Sequence, residues 1–120
     1  MHELSVAQSI LSLVESYVPE PDRGLVRTIK LRVGTQAGIV LDSLRFSFEA
    51  ITADSPMTEA TLDIEVIPFS IRCRACGLSS SPDDGLLLCP NCGSGDTEVT
   101  GGTEMRVVEL ELDDRQEEST

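Results

Sequence analysis

Four cysteines stand in two matching frames, Cys73-Arg74-Ala75-Cys76-Gly77 and Cys89-Pro90-Asn91-Cys92-Gly93. C-x-x-C-G twice over is the spacing of two metal knuckles. In each frame a tight turn brings two sulfurs toward one ion, and the glycine that follows can take the positive φ such a turn requires. Four thiolates saturate a tetrahedral ion, whereas a catalytic zinc keeps one position open, so the pattern predicts a structural Zn²⁺. Iron fits the same cage by geometry. Redox disulfides are the other chemistry this residue set allows, but two knuckles joined by a short arm match the zinc pattern better.

A second set of donors sits at the opening Met1-His2-Glu3-Leu4-Ser5, where His2 is the only histidine of the chain. A penultimate histidine puts the terminal amine, the imidazole and main-chain amide nitrogens within chelating distance without any folding. Nitrogen donors in a plane favour Ni²⁺ or Cu²⁺. A histidine on a frayed helix start is otherwise simply solvated, and this pattern alone leaves both readings open.

The net charge of −12 argues against nucleic acid as a partner, because zinc ribbons that bind it need clustered Lys and Arg, and this chain has one lysine, Lys30. Arg72 and Arg74 beside the first knuckle are too few to track phosphates. An acidic surface suits cations or a basic protein surface. Beyond His2 there is no imidazole base, beyond the knuckles no cysteine, and nowhere a phosphate-binding glycine loop, so the chain is not expected to be an enzyme. Glu109 and Glu111 read as the solvated side of a strand. No run approaches the roughly 18 apolar residues of a membrane span, and the start lacks a secretory pattern, which predicts a cytoplasmic protein with no membrane partner. Metal-held thiols fit such a reducing compartment.

With 120 residues and 40% hydrophobic content, the chain suits one small domain carrying a metal-stapled insert. Leu4, Ala7, Leu11, Val14 and Val18 repeat at helical spacing, with Ile10 and Tyr17 widening the stripe, until Pro19 and Pro21 stop the helix. Ile29, Leu31 and Val33 alternate with polar residues as a strand ending at Gly34. From Asp42 to Ala53 the signal is double: Leu44, Phe46 and Phe48 alternate, while Leu41, Leu44, Phe48 and Ile51 fall at helical intervals. The length favours a helix, with Asp42 or Ser43 as its cap. Leu62, Ile64 and Val66 predict a second strand, and Val108, Leu110 and Leu112 a third, each with one wet face.

The cysteine segment lies between those last two strands, so the metal module interrupts the first domain. The expected division is 1–68 plus 102–115 for that domain, 69–101 for the zinc-binding ribbon and 116–120 for a disordered tail. Pro68 and Phe69 mark the exit and Gly101 and Gly102 the return, either as flexible linkers or as a packed junction. Within the module a polar loop, Ser79 to Gly85, precedes Leu86, Leu87 and Leu88. So little apolar content requires the metal for stability.

Met1-His2-Glu3 followed by two C-x-x-C-G knuckles resembles the HypA/HybF family of hydrogenase maturation factors. Leu44-Arg45-Phe46-Ser47-Phe48-Glu49 looks like the family's second helix and Gly102-Thr103-Glu104-Met105 like its return strand. The resemblance implies an α+β fold, two helices on a three-stranded sheet, with an inserted zinc-ribbon module. It also implies a nickel metallochaperone that takes Ni²⁺ as transient cargo at Met1 (terminal amine), His2 and Glu3 (backbone amide or nearby charge). Zn²⁺ would be structural at Cys73, Cys76, Cys89 and Cys92. The implied partners are a HypB-type GTPase and the large subunit of [NiFe]-hydrogenase; some relatives also serve urease, which adds a urease accessory protein. The chain is expected as a monomer or weak homodimer. The sequence departs from the family at 53–59, where Ala53-Asp54-Ser55-Pro56-Met57-Thr58-Glu59 replaces a glycine-containing turn. A zinc-ribbon interaction module with His2 incidental is the alternative.

Overall fold

The computed structural model describes residues 2–82 and 85–114, so Met1 and the tail expected to be disordered lie outside the described residues. The fold is α+β, with two helices on a three-stranded sheet and a second small sheet, one strand of which ends at Cys73. Among the described residues no helix is long and apolar enough to cross a membrane. The chain packs as two compact units, one of Met1–Leu31, Ile39–Ile64 and Val107–Thr120, the other of Arg32–Gly38 and Glu65–Arg106.

In the first unit, α1 (His2–Tyr17) buries Ala7, Ile10 and Val14. Tyr17 does not widen this stripe as expected: it is 74% exposed, because the helix ends there and Val18 turns inward in its place. The chain leaves through a 3-10 turn at Glu20–Leu25, which Pro19 and Pro21 impose. Arg23 reaches back from that turn, its Nε donating to Val18 O and its Nη2 to Glu15 O, both at 3.0 Å. These carbonyls at the end of α1 have no helical partner, and a cation there also suits the helix dipole.

The double signal at 42–53 resolves as α2 (Leu41–Thr52), which packs against α1. Leu44 and Phe48 share its buried face, and Phe46, which strand alternation would have put beside them, is 72% exposed. The expected caps are replaced: neither Asp42 nor Ser43 caps the helix, Val40 occupies the N-cap, and its own N–H donates to Glu3 Oε2 at 3.0 Å. After α2 the segment that departs from the family pattern forms successive turns, held by Ser55 N–H to Thr52 O, Thr58 N–H to Ser55 O and Ala60 N–H to Met57 O. It buries Met57.

The main sheet has the order β2-β1-β6, formed by β1 (Val26–Gly34), β2 (Thr61–Ile67) and β6 (Met105–Leu112). Central β1 buries Val26, Ile29, Leu31 and Val33. The edge strands are drier in sequence than in structure: Val66 on β2 and Val108 and Leu112 on β6 are exposed, since an edge has a neighbour on one side only. Lys30 on β1 meets Glu111 at 3.1 Å and Glu109 at 3.9 Å, and Arg27 meets Asp113 at 2.8 Å. The hydrogen bond to Glu111, with the charge of Glu109, holds the Lys30 ammonium above its usual range.

The second unit contains a sheet of order β4-β3-β5, from β3 (Ser70–Cys73), β4 (Ser79–Ser80) and β5 (Thr97–Gly101), all antiparallel. Its apolar centre is Phe69 and Ile71, both buried. Backbone segments cross closely beside it. Gly34 N–H donates to Glu104 O, Gln36 N–H to Gly102 O and Thr35 N–H to Ile67 O, while Phe69 N–H donates to Thr35 Oγ1. The glycines here serve contact rather than flexibility: a Cβ on Gly34 would overlap the Gly102 carbonyl, and one on Gly102, whose φ is +94°, would overlap Phe69 Cα.

Gly34→Ala and Gly102→Ala should therefore each lower stability by more than about 2 kcal/mol, read from urea midpoints of the metal-loaded protein. Gly24→Ala, whose Cβ meets only Pro56 O at 3.7 Å, should change it by less than about 1 kcal/mol.

Candidate metal centres

The last residue of β3, Cys73, opens the first knuckle, and the second knuckle follows the Leu86–Leu88 run. Each is built by the same main-chain bonds. Gly77 N–H donates to Cys73 O and Gly93 N–H to Cys89 O, both at 2.8 Å, and the two glycines have φ of +81° and +75°. Cys73 N–H donates to Leu78 O and Cys89 N–H to Ser94 O, both at 2.9 Å, which closes each turn on itself. The turns aim all four sulfurs inward, and every Sγ lies within 4.8 Å of the others.

Two pairs are in contact, Cys73 Sγ with Cys92 Sγ and Cys76 Sγ with Cys89 Sγ, both at 3.6 Å. A tetrahedron of sulfurs around an ion at metal–sulfur distances of about 2.3 Å has edges of about 3.8 Å, so the cage fits a four-coordinate metal. Cys73 and Cys89 are buried, while Cys76 and Cys92 face solvent.

Main-chain amides prepare the sulfurs for ionisation. Cys76 N–H reaches Cys73 Sγ at 3.4 Å and lowers that thiol's pKa; Cys92 N–H reaches Cys89 Sγ at 3.5 Å and lowers that one to about 7. The Ser94 amide favours the Cys92 thiolate too, yet the adjoining thiol of Cys73, together with burial and Cys89, pushes Cys92 up to about 11. Sulfurs this close cannot all ionise by themselves, and a dication among them removes that conflict.

Around the cage, Arg74 pairs with Asp96 at 3.1 Å and Glu98 at 3.4 Å, and Arg72 with Glu98 at 3.9 Å. Both arginines beside the first knuckle are thus engaged with carboxylates. Asn91, not singled out in the sequence, directs its Nδ2 to Cys76 Sγ at 3.8 Å. The one available signal was that the x positions of the two knuckles differ.

The N-terminal donors lie in the other unit. His2 is exposed at the first turn of α1. The Glu3 carboxylate accepts the Val40 N–H, and this bond, with one from its own amide, holds its pKa below the usual range. A cleft of about 350 Å³ lies alongside, lined by Glu3, Leu4, Asp42, Ser43, Phe46 and Ser47. Among the described residues, the cysteine cage is the group of His, Cys, Asp or Glu side chains gathered closely enough to hold an ion, and His2 joins no such group.

Residues 1–112 match the HypA family model, described as "Hydrogenase/urease nickel incorporation, metallochaperone, hypA". Among similar proteins, hydrogenase maturation factor HypA of Azotobacter vinelandii is 40% identical over 113 residues, covering 94% of this chain and 100% of that protein. Its counterpart from Desulfatibacillum aliphaticivorans is 37% identical over 118 residues, covering 98% and 91%. The solution structure of the Ni metallochaperone HypA from Helicobacter pylori matches with a TM-score of 0.64 at 25% identity, over 92% of this chain and 96% of that one. With a family match across nearly the whole sequence and a four-cysteine cage on an α+β fold, the chain belongs to the HypA family of nickel-incorporation metallochaperones.

Proposed function

We propose that this protein binds Ni²⁺ at its N-terminus and delivers it during maturation of [NiFe]-hydrogenase, while Zn²⁺ in the Cys73, Cys76, Cys89 and Cys92 cage is structural. The observation that carries the reading is the membership of residues 1–112 in a family of nickel-incorporation metallochaperones, joined to a chain that opens Met1-His2-Glu3. Bound Zn²⁺ would supply a rigid tetrahedral node for a module with little apolar core. The 69–101 segment is then the zinc-binding domain, and 1–68 with 102–115 the nickel-binding one. In keeping with the family's role, the partners are a GTPase of the HypB type and the hydrogenase large subunit. A urease accessory protein is a further recipient, and the setting is the cytoplasm. The chain carries cargo and performs no catalysis.

At the nickel site the donors are the Met1 amine, the His2 imidazole and the amide nitrogens of His2 and Glu3. A helix N-terminus disfavours a cation. Amides of the first turn lack helical partners, however, and on losing protons they become anionic ligands that reverse the local charge. The Glu3 carboxylate, tied to Val40 N–H, adds a fixed negative charge and holds the first turn of α1 against the start of α2. These donors come from one short stretch of chain, which suits an ion that must later leave.

Extending the chain by two residues before Met1, or replacing His2 by Ala, should abolish stoichiometric Ni²⁺ binding followed by absorption, with zinc content unchanged. Nickel binding that survives the extension would remove the terminal amine from the site. Cys76→Ala should have the converse effect, losing zinc and the amide-exchange protection of β3 and β5 while α1 and α2 keep theirs. Protection retained in β3 and β5 after verified zinc loss would contradict a structural role.

Nickel affinity should fall by more than about tenfold between pH 8 and pH 6, since the donors must shed protons to ligate. The Glu3–Val40 tie should persist across that window. Its carboxylate has a lowered pKa, so its contribution is complete above 4.5 and is lost only as pH falls through the lower folded value. An affinity flat in pH, measured by calorimetry, would rule out proton-coupled binding.

A further inference from the structure

The two knuckles share one frame but differ at the residue before the second cysteine. Asn91 stands in Cys89-Pro90-Asn91-Cys92, where the first knuckle has Ala75. Ala75 has no side-chain donor, whereas Asn91 sends Nδ2 across the cage to Cys76 Sγ, 3.8 Å away and 15 positions distant in sequence. The main chain serves two of the other sulfurs. Cys76 N–H reaches Cys73 Sγ and Cys92 N–H reaches Cys89 Sγ, the two buried sulfurs.

Cys76 is one of the two solvent-facing sulfurs, and it differs from the buried pair in taking its donor from a side chain of the opposite knuckle. That difference matters because an exposed thiolate is where water, acid and competing ligands arrive first. A hydrogen bond to a ligating thiolate withdraws electron density from the sulfur, making it less basic, and fixes the direction in which it points at the ion. Pro90 restrains the turn from which Asn91 reaches, so the bond is prepared by the backbone.

We propose that Asn91 is a positioning residue of the metal cage, whose side-chain amide holds the exposed Cys76 thiolate in place and so sets how readily the ion is lost. This rests on the reading of the four cysteines as a zinc site, and the test separates the two.

The probe is Co²⁺ in place of Zn²⁺ in the full chain, as wild type, Asn91→Ala and Asn91→Asp. Asn91→Asp has nearly the shape of the native residue, so it decides the matter if Asn91→Ala fails to fold. The expected result is that the variants bind one Co²⁺ with tetrahedral ligand-field bands. Their sulfur-to-cobalt charge-transfer band should move to lower energy, since a sulfur that has lost its donor gives up electrons more easily. The zinc forms should lose metal to a chelator about tenfold faster than wild type. An unmoved charge-transfer band in Asn91→Asp overturns the proposal, even if release quickens, because packing alone would then account for the effect. Wild-type protein that gives no tetrathiolate cobalt spectrum would overturn the zinc reading itself, and the proposal with it.

Discussion

Four thiol sulfurs within 4.8 Å of one another cannot all carry charge unless a cation sits among them, and the second unit is arranged around that conflict. Its apolar interior amounts to little more than Val33, Phe69 and Ile71, while Leu86, Leu87 and Leu88 are each about half exposed. Burial on that scale does not hold a ribbon of short strands together against chain entropy. Structural zinc in comparable modules contributes on the order of 10 kcal/mol, enough to change the balance. The amides of Cys76 and Cys92, aimed at Cys73 and Cys89, mean that the fold an ion stabilises in turn supplies donors to half of the sulfurs.

The first unit solves a different problem, how to hold the start of α1, where the nickel donors are proposed, near a defined surface. A helix start normally frays, but α1 is tethered at both ends. Arg23 ties its last carbonyls to the turn that follows, and the Glu3 carboxylate ties its first turn to the N-cap of α2. The second tie does double service. It gives α2 an anion at its N-terminus, where the dipole favours one, and it occupies a carboxylate that could otherwise swing freely beside His2.

What the sequence disclosed follows from the range of each interaction. The knuckles depend on spacing within five residues and were legible at once, as was α1, whose stripe ends at prolines. In α2 the periodicities of helix and strand overlapped, and length decided correctly, with Phe46 as the residue that tells them apart in the structure. Burial on the edge strands was over-read, because alternation at Val66 or Val108 says which face a residue takes and nothing about whether a neighbour covers it. Least legible were contacts between distant segments. Gly34 and Gly102 looked like a strand end and a linker, whereas Gly34 leaves room for the backbone of Gly102 and Gly102 for that of Phe69, and Glu3 caps a helix 37 positions away. Asp42 and Ser43 were plausible caps by type, but type cannot reveal that another segment already supplies the carboxylate.

The two metal sites proposed here differ in the way their functions require. The cage draws donors from two turns separated in sequence, both closed by the same amide bonds, so releasing the ion means separating structures that the fold holds together. The proposed N-terminal donors are consecutive, and among the described residues His2 joins no cluster of three or more ligating side chains. Such a chelate forms without folding work and can be taken apart one donor at a time by a competing ligand. On that proposal, slow exchange at the cysteines and fast exchange at His2 would follow from where the donors sit in the chain, as a carrier that keeps one ion and surrenders another demands.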